Sequence, residues 1–347
     1  MIRWKIEMRK MSTIKDVARE AGVGISTVSR VINESGYVSQ ETREKVLAVM
    51  DELQYQPNEI ARSLKRRHTK SIGLAVPEIS NPFFGEVAEA VEVAAREKSY
   101  TVLFCSTQYD SNQEEVGIDL FLEKQVDGLI WYAPHNKSKL QTVLEQRHVP
   151  IVIITPEPVW GDVDSVCVND ASGAFEAVAH LIRLGHRTIG YIAEPDDPTG
   201  SQQRLKGYRA AVREYGLPLD ESLIARGTFR EGSGARAVEV LLDRPKPPTA
   251  IFAANDLMAI EAMTRLRSKG YRVPEDIAIV GFDDVKLASA GGIDLTTVAQ
   301  PKQEVGQEAV HLLIERLNDE PRATRQVTFS PYLIVRKTCG QHLRSGD

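Results

Sequence analysis

The chain has 347 residues, 42% of them hydrophobic and 26% charged, and a formal net charge of −5 at pH 7. This length predicts two or three domains, and the composition is typical of a soluble globular protein. The sequence has no run of about 18 apolar residues, so a transmembrane helix is not predicted.

Charge is distributed unevenly along the chain. Residues 1–70 carry 14 Lys and Arg against 9 Asp and Glu, whereas the remainder carries 29 against 39. A basic amino-terminal part suits contact with phosphate groups, and an acidic remainder does not. This charge asymmetry is modest, so a prediction of nucleic-acid binding has to rest on the sequence motifs.

The cysteines and histidines predict neither disulfides nor a metal site. Cys105, Cys167 and Cys339 are odd in number and show no paired spacing, so we expect free thiols in the reducing cytoplasm. The seven histidines show no ligand spacing, and no cofactor is expected. The opening MIRWKIEMRK lacks the apolar core of a signal peptide. Residues 1–10 are predicted to be an extra, disordered arm, or to precede a true start at Met8 or Met11.

The first patterned stretch begins with a short predicted helix. Thr13 can cap it, with Asp16 as the acidic half of a capping box. Gly22 supplies the backbone freedom that a tight turn needs. The apolar residues of this helix fall three and four positions apart: Ile14, Val17 and Ala18.

A second helix is predicted to start near Ile25. Its buried face consists of Val28, Val31 and Ile32. Two short helices around a glycine turn, with small hydroxyls and a guanidinium outward, predict a helix-turn-helix that reads DNA. The alternative is an enzyme's helical hairpin with an ordinary solvated surface. The outward residues are Ile25, Ser26, Thr27, Ser29, Arg30 and Asn33.

A third helix is predicted from Ser39, in SQETREKVLAVMDELQY, and completes a three-helix unit with its own core. Its apolar stripe is Val46, Val49, Met50 and Leu53. The segments TIKDVA, AGV, STVSRVIN, VSQETREKV, LQYQPN and ARSL together resemble the amino-terminal module of the LacI/GalR family of bacterial transcriptional regulators. The resemblance continues through a sugar-binding-like regulatory domain to about Lys337.

The resemblance implies roles for the amino-terminal residues. Ile25 and Ser26 choose bases, and Arg30 can contact a guanine. Residues 58–67 match a hinge helix that enters the minor groove, where Leu64 wedges between base steps; the alternative is that Leu64 packs on the body. The other predicted DNA contacts are Thr13, Thr27, Ser29, Asn33, Tyr37, Asn58, Ala61, Arg62 and Lys65.

From Ser71 onwards, short apolar strands alternate with amphipathic helices. This alternation predicts βαβ units and parallel sheets covered on both faces. Two such sets, before and after Asn169, indicate two similar subdomains. The family resemblance implies two lobes joined by three chain crossings, near Asn169, Val298 and Phe329.

Ligands of open α/β sheets bind outside the carboxyl ends of the strands, so a cleft between the lobes is predicted. Aromatic, amide and charged side chains there suit a polyol or a sugar. The resemblance places effector contacts at Arg204, Asp283 and Asn255 or Asp256; for Phe84, core packing is an equal alternative. The predicted effector-binding residues are Asn81, Phe83, Phe84, Trp160, Arg204, Phe229, Asn255, Asp256 and Asp283.

Two rival functions are open to test. Gly232, Gly234 and Ala237 satisfy G-x-G-x-x-A at a helix start, as in an NAD(H)-sensing redox repressor. A solute-binding protein without a regulatory role would share the body, but it would need a signal peptide and no helix-turn-helix. No nucleophile elbow or carboxylate pair predicts an enzyme.

The sequence therefore predicts an all-α helix-turn-helix domain followed by an α/β body of two Rossmann-like subdomains, like periplasmic binding proteins. We expect a cytoplasmic homodimeric regulator, most simply a repressor, that binds palindromic double-stranded operator DNA and a small-molecule effector, a sugar or sugar derivative. The predicted domains are 11–57 for DNA binding, 58–70 for hinge and linker, and 71–342 for the body. Within the body, the N-subdomain comprises about 71–169 and 299–328, and the C-subdomain about 170–298 and 329–342.

Overall fold

The computed structural model describes residues 12–55, 68–135, 137–155, 163–195, 200–228, 231–318 and 322–343. The chain separates into two compact units, Met1–Thr69 and Lys70–Asp347, and each is described below by itself. Among the described helices, none combines the length and the apolar character needed to cross a membrane.

The amino-terminal unit is built from three short helices around a small core. Val17, Val28 and Val46, one from each helix, are fully buried. Helices of this length are marginal alone in water, so each depends on packing against the others. The helices are α1 (Ile14–Ala21), α2 (Ile25–Asn33) and α3 (Gln40–Glu52).

Local signals set the ends of these helices. The Asp16 carboxylate accepts hydrogen bonds from the backbone N–H of Thr13 at 3.0 Å and from its hydroxyl at 2.7 Å. Gly22 ends α1 with φ of 65°, a conformation that glycine adopts without steric cost. The Ser39 hydroxyl accepts from the Thr42 N–H at the start of α3. The capping box, the glycine turn and the third helix are therefore present as predicted.

Within the described residues, the body forms two six-stranded sheets, each at the centre of one lobe. The first-lobe strands are β1 (Ser71–Val76), β2 (Thr101–Ser106), β3 (Gly128–Tyr132), β4 (Ile151–Thr155), β5 (Asp164–Val168) and β11 (Gln326–Phe329). The second-lobe strands are β6 (Ile189–Ala193), β7 (Ile224–Arg226), β8 (Ala250–Ala253), β9 (Ala278–Asp283), β10 (Thr296–Ala299) and β12 (Tyr332–Ile334).

The two sheets have the same strand pattern. Their orders are β11-β5-β4-β3-β1-β2 and β12-β10-β9-β8-β6-β7. Neighbouring strands are parallel except β12, which is antiparallel to β10. In the first sheet, Ala75 of β1 is in register with both Cys105 of β2 and Trp131 of β3. In each sheet the chain therefore runs outward in both directions from its first strand, which creates a cleft at the carboxyl ends.

Helices cover the sheets. First-lobe helices are α4 (Pro82–Glu97), α5 (Ser111–Glu123), α6 (Lys137–Arg147) and α11 (Lys302–Leu317). Second-lobe helices are α7 (Asp170–Arg183), α8 (Ser201–Glu214), α9 (Ser233–Leu242) and α10 (Asp256–Ser268). Short 3-10 turns lie at Glu221–Leu223, Lys286–Ser289 and Gln341–Leu343.

The lobes are interleaved along the chain. After the second-lobe strand β10, helix α11 packs on α4 and on β3, β4 and β5 of the first lobe. The chain then adds β11 beside β5 and ends in the second sheet with β12. The predicted fold class, a helix-turn-helix followed by two Rossmann-like subdomains, is confirmed.

Strands β10 and β11 lie where the sequence predicted only chain crossings, near Val298 and Phe329. In β10, Thr296 and Thr297 are fully buried, and their hydroxyls are hydrogen-bonded to distant groups. Thr297 donates to the Asp256 carboxylate, and the Thr296 hydroxyl accepts from the Arg336 N–H at 2.9 Å. These polar side chains interrupt the apolar run that would have predicted a buried strand.

Candidate functional site

The outward face of α2 presents the residues predicted to read bases. Ile25 is 46% exposed although it is apolar, and Ser26 and Arg30 are also exposed. Val28 and Val31 on the opposite face are buried in the three-helix core. An exposed isoleucine and an exposed guanidinium on one helix face match the apolar and bidentate contacts that major-groove readers make.

The other described residues predicted to contact DNA lie around that face or at the start of α1. Thr27, Ser29 and Asn33 are half-buried, and the Asn33 amide donates to the Ser29 carbonyl at 2.7 Å. Tyr37 is 90% exposed. Thr13 is exposed at the start of α1, and its hydrogen bonds to Asp16 lower the pKa of that carboxyl.

Seven predicted site residues lie outside the described part of the chain. Five are the hinge residues and two are aromatic residues assigned to the cleft: Asn58, Ala61, Arg62, Leu64, Lys65, Trp160 and Phe229.

The first-lobe wall of the cleft is an aromatic cluster. The Asn81 side chain accepts from the Phe83 N–H at 3.0 Å and so caps α4. Phe84 lies edge-on to Phe83 and to Tyr132, with ring centroids 5.2 and 5.0 Å apart. Phe83 and Phe84 are 5% and 6% exposed. This burial favours core packing for Phe84.

Arg204 of α8 is the centre of a buried ion network. Its Nε donates to Asp170 at 2.9 Å, and one terminal nitrogen donates to Glu194 at 3.4 Å and to the Ala254 carbonyl at 2.6 Å. The other terminal nitrogen lies 3.9 Å from Asp283 Oδ1. The guanidinium also lies over the Phe282 ring, 4.3 Å from its centroid. The Arg204 guanidinium is therefore close to three carboxyl groups, those of Asp170, Glu194 and Asp283.

Burial shapes the protonation of this network. It raises the pKa of Asp170, and it raises that of Asp283 well above its usual range; the nearby Arg204 guanidinium offsets only part of this rise. Asp283 stands in the left-handed region with φ of 113°, and its carboxylate accepts from the Gln300 amide at 2.7 Å. Three carboxyl groups around one guanidinium offer several buried hydrogen-bond acceptors, which favours ligands that bring hydrogen-bond donors.

Asn255 and Asp256, which the sequence treated together, lie in different surroundings. The Asn255 amide donates to Glu194 at 2.9 Å, and its oxygen caps α10 at Met258. Asp256 is fully buried, and accepts from the Val285 N–H at 2.9 Å and from Thr297. Burial raises the pKa of Asp256 to about 7. Asp256 thus supports the loop after β9 from the interior, whereas Asn255 faces the cleft.

Two adjoining cavities open between the lobes. One measures about 370 Å³ and is lined by Ser80, Asn81, Tyr109, Asn255 and Glu261, among others. The other measures about 580 Å³ and shares Glu78, Ser80, Tyr109 and Thr228 with it. A separate void of about 10 Å³ lies beside Phe83, Tyr132, Asp170, Gln300 and Lys302 and shares no lining residue with these two cavities.

The glycine-rich start of α9 is not shaped for a dinucleotide. The Glu261 carboxylate accepts from the backbone N–H groups of Gly232 and Gly234, each at 2.7 Å. This carboxylate occupies the place that a pyrophosphate would take at a helix start. A Cβ at Gly234 would lie 2.1 Å from the Met258 carbonyl oxygen, so this glycine permits close packing of α9 on α10.

Comparison with known proteins decides the family. Residues 13–58 match the model described as bacterial regulatory proteins, lacI family, and residues 178–339 match a periplasmic binding protein-like domain. The HTH-type transcriptional regulator DegA of Bacillus subtilis is 42% identical over 329 residues, which cover 94% of this chain and 97% of that protein. The chain belongs to the LacI/GalR family of bacterial transcriptional regulators.

Other members of the LacI/GalR family agree in sequence and fold. The transcriptional repressor PurR of Vibrio atlanticus is 37% identical, with 94% of this chain and 98% of that protein covered. A Lac repressor dimer bound to operator and the anti-inducer ONPF has a TM-score of 0.85 at 29% identity, covering 95% of this chain and 99% of that chain. A CelR–cellobiose complex has a TM-score of 0.71 at 35% identity, covering 94% and 99%.

Several cleft residues of this LacI-family regulator were not found from its sequence. Tyr132 ends β3, Asp170 begins α7, Gln300 follows β10, and Lys302 begins α11. Each stands beside the carboxyl end of a strand, which is the signal that could have identified it. No group of three or more potential metal ligands occurs among the residues that the structure describes.

Proposed function

We propose that this LacI-family regulator is a cytoplasmic repressor without enzymatic activity. It binds a palindromic operator as a homodimer, and a sugar or sugar derivative held between its lobes controls its operator affinity. The observation that carries this proposal is the combination of two sites in one chain. A folded three-helix unit exposes Ile25, Ser26 and Arg30, and a separate body holds a buried ion network at Arg204 and Asp283 and a cavity lined from both lobes.

The DNA-binding part rests on the exposed face of α2. We assign base contacts to Ile25, Ser26 and Arg30, and phosphate contacts to Thr27, Ser29, Asn33 and Tyr37. The Lac repressor neighbour is a dimer on operator. A two-fold dimer implies two half-sites related by the same symmetry, hence a palindrome. We also assign the segment 58–70 as a hinge that contacts the minor groove through Leu64.

The effector part rests on groups that converge from both lobes. Asn81 and Phe83 come from the first lobe, whereas Arg204, Asn255 and Asp283 come from the second. A ligand that bridges them favours the closed arrangement by the difference in its affinity for the two states. Neighbouring structures hold cellobiose in one case and ribose in another, which supports a carbohydrate here.

The redox-sensor alternative has less support. The N–H groups that would bind a pyrophosphate are already bonded to Glu261. Displacing that carboxylate would leave a charged group without its partners next to an anionic ligand, which costs free energy.

The test begins with the full-length protein and a pool of random double-stranded DNA. Selected sequences should contain an inverted repeat, and their affinity should be measured by fluorescence anisotropy. A thermal-shift screen of carbohydrates, nucleobases and NAD(H) then identifies ligands, and each hit is added to the DNA titration. Recovery of no preferred sequence contradicts the regulator proposal, and a response to NAD(H) alone contradicts the carbohydrate proposal.

A further inference from the structure

One carboxylate oxygen of the Arg204 ion network lacks a hydrogen-bond partner among the described residues. Asp170 is 2% exposed. Its Oδ2 accepts from Arg204 Nε at 2.9 Å, but its Oδ1 has no hydrogen-bond partner among the described residues. Asp170 lines the void of about 10 Å³ together with Tyr132 and Gln300. A buried acceptor without a donor is costly, so this position calls for a donor from outside the chain.

Acidic groups outnumber basic groups around this position. Asp170, Glu194 and Asp283 share the single guanidinium of Arg204. The next cation, Lys302, is already bound: its ammonium lies 3.1 Å from Glu86 and donates to the carbonyls of Asp283 and Asp284. Among the described residues, no spare cation remains here for an anionic ligand.

The side chains that line the wider mouth of the cleft are also acidic. Glu78, Glu231 and Glu261 line the cavity of about 370 Å³, and Glu78 also lines the cavity of about 580 Å³. The described residues that line these two cavities include no Lys, Arg or His. A negatively charged ligand would meet acidic side chains at the mouth and again around Asp170, and like charges repel most strongly where water is excluded.

We propose that the effector is an uncharged or positively charged carbohydrate, a polyol or amino sugar that donates a hydroxyl or ammonium hydrogen bond to Asp170. The acidic lining excludes phosphorylated sugars and sugar acids. Glu78 and Glu231 set this selectivity at the mouth, because rejecting a wrong ligand by an unfavourable charge is as effective as improving contacts to the right one. This proposal rests on the proposed function and adds the charge class of the ligand.

The test uses full-length protein and carbohydrates matched except for charge. Glucose, glucosamine, glucose 6-phosphate and glucuronic acid form one set, and cellobiose, its diamino analogue (deacetylated chitobiose) and cellobiouronic acid form a second. A wider panel of neutral and amino sugars is screened by thermal shift, and Kd is measured by calorimetry for every hit. We expect neutral or amino sugars among the hits, and the acidic counterpart of each hit to bind at least about tenfold more weakly.

Variants then locate the selectivity. The double variant Glu78→Gln/Glu231→Gln should reduce the difference in Kd between a neutral hit and its acidic counterpart. Glu145 is an exposed glutamate on α6, and Glu145→Gln should leave this difference unchanged. Asp170→Asn replaces one oxygen with a donor and should weaken the neutral hit more than tenfold. If the double variant does not fold, each single variant is measured instead.

The proposal is overturned if an acidic or phosphorylated sugar is the tightest ligand, or if no neutral or amino sugar binds. Either result leaves the operator selection intact, so failure of this inference is distinguishable from failure of the proposed regulator function.

Discussion

The ammonium of Lys302 lies 3.1 Å from the carboxylate of Glu86, and each member of this pair also forms hydrogen bonds to the second lobe. Both residues belong to first-lobe helices. Lys302 donates to the carbonyls of Asp283 and Asp284, and Glu86 accepts from the Lys286 N–H at 3.0 Å. The end of β9 and the loop that follows it in the second lobe are therefore held from the first lobe, at the proposed effector contact Asp283 and at the residues just after it.

A change at Lys302 should weaken the link between ligand and DNA. We expect Lys302→Gln to reduce the ratio of DNA affinities with and without ligand by about 1 kcal/mol, roughly fivefold. Fluorescence anisotropy with each variant gives this ratio. Lys286→Gln is the matched control, because only the backbone of Lys286 bonds to Glu86 and its side chain forms an exposed pair with Glu89. If both variants reduce this ratio equally, Lys302 has no specific role in linking ligand binding to DNA binding.

Arg204 and Asp283 should respond differently to substitution. Removing Arg204 leaves Asp170, Glu194 and Asp283 without their shared guanidinium, so Arg204→Ala should destabilise the body by ~3–5 kcal/mol. Asp283→Asn keeps the size of the side chain and an oxygen for the Gln300 amide, so the body should stay folded and lose its ligand response. Urea denaturation and ligand titration separate the two effects. A stable Arg204→Ala protein would mean that the network does not stabilise the body.

The glycine at position 234 distinguishes packing from nucleotide binding. Gly234→Ala places a methyl group 2.1 Å from the Met258 carbonyl, so we expect a loss of ~1–3 kcal/mol. Gly85→Ala is the control: it lies inside helix α4, its new Cβ meets nothing within 4 Å, and the change should be neutral or stabilising. Thermal melts measure both. If the wild-type protein at micromolar concentration quenches NADH fluorescence, that result would instead support dinucleotide binding.

Base reading by α2 can be measured at one residue. Arg30→Ala should cost ~1–3 kcal/mol on the selected operator and relax the preference at one base pair. Arg19→Ala removes the same charge from α1, where the side chain pairs with Asp16 at 2.9 Å, and should leave base preference unchanged. If Arg30→Ala weakens all sequences equally, Arg30 contacts phosphate only.

The helix ends and the parallel sheets could be predicted from the sequence, because short-range signals specify them. Thr13, Asp16 and Gly22 specify the ends of α1 within ten residues of one another, and the apolar alternation specifies the parallel sheets. The interleaving of the lobes came from family resemblance, because no local pattern marks α11 as a first-lobe helix.

The remainder depends on long-range contacts. Glu261 reaches Gly232 across 29 positions, and Arg204 reaches Asp170 across 34. Neither pairing has a sequence spacing that identifies it. The glycine motif could therefore suggest a dinucleotide site until the structure placed a carboxylate there.

A buried carboxylate anchors the return of the chain to the first lobe, and its pH dependence can be tested. Asp164 at the start of β5 is 1% exposed. It accepts from Arg316, at 2.7 Å to Nε, from both terminal nitrogens of Arg322 and from the Arg325 N–H. Burial raises the pKa of Asp164, but these hydrogen bonds outweigh it and lower the pKa to about 2.

Because the folded-state pKa lies below the unfolded value, Asp164 contributes stability that is complete above about pH 4 and is lost as the pH falls towards 2. The shift corresponds to about 2 kcal/mol at neutral pH. Asp164→Asn should therefore melt lower than wild type at pH 7, and the difference should shrink below pH 4. Asp276, whose pKa is also lowered to about 2 by Arg272, is the control. That pair lies at the surface, so Asp276→Asn should have a smaller effect that disappears in high salt. If the difference in melting temperature between Asp164→Asn and wild type does not change with pH, packing and not ionisation of Asp164 stabilises this part of β5.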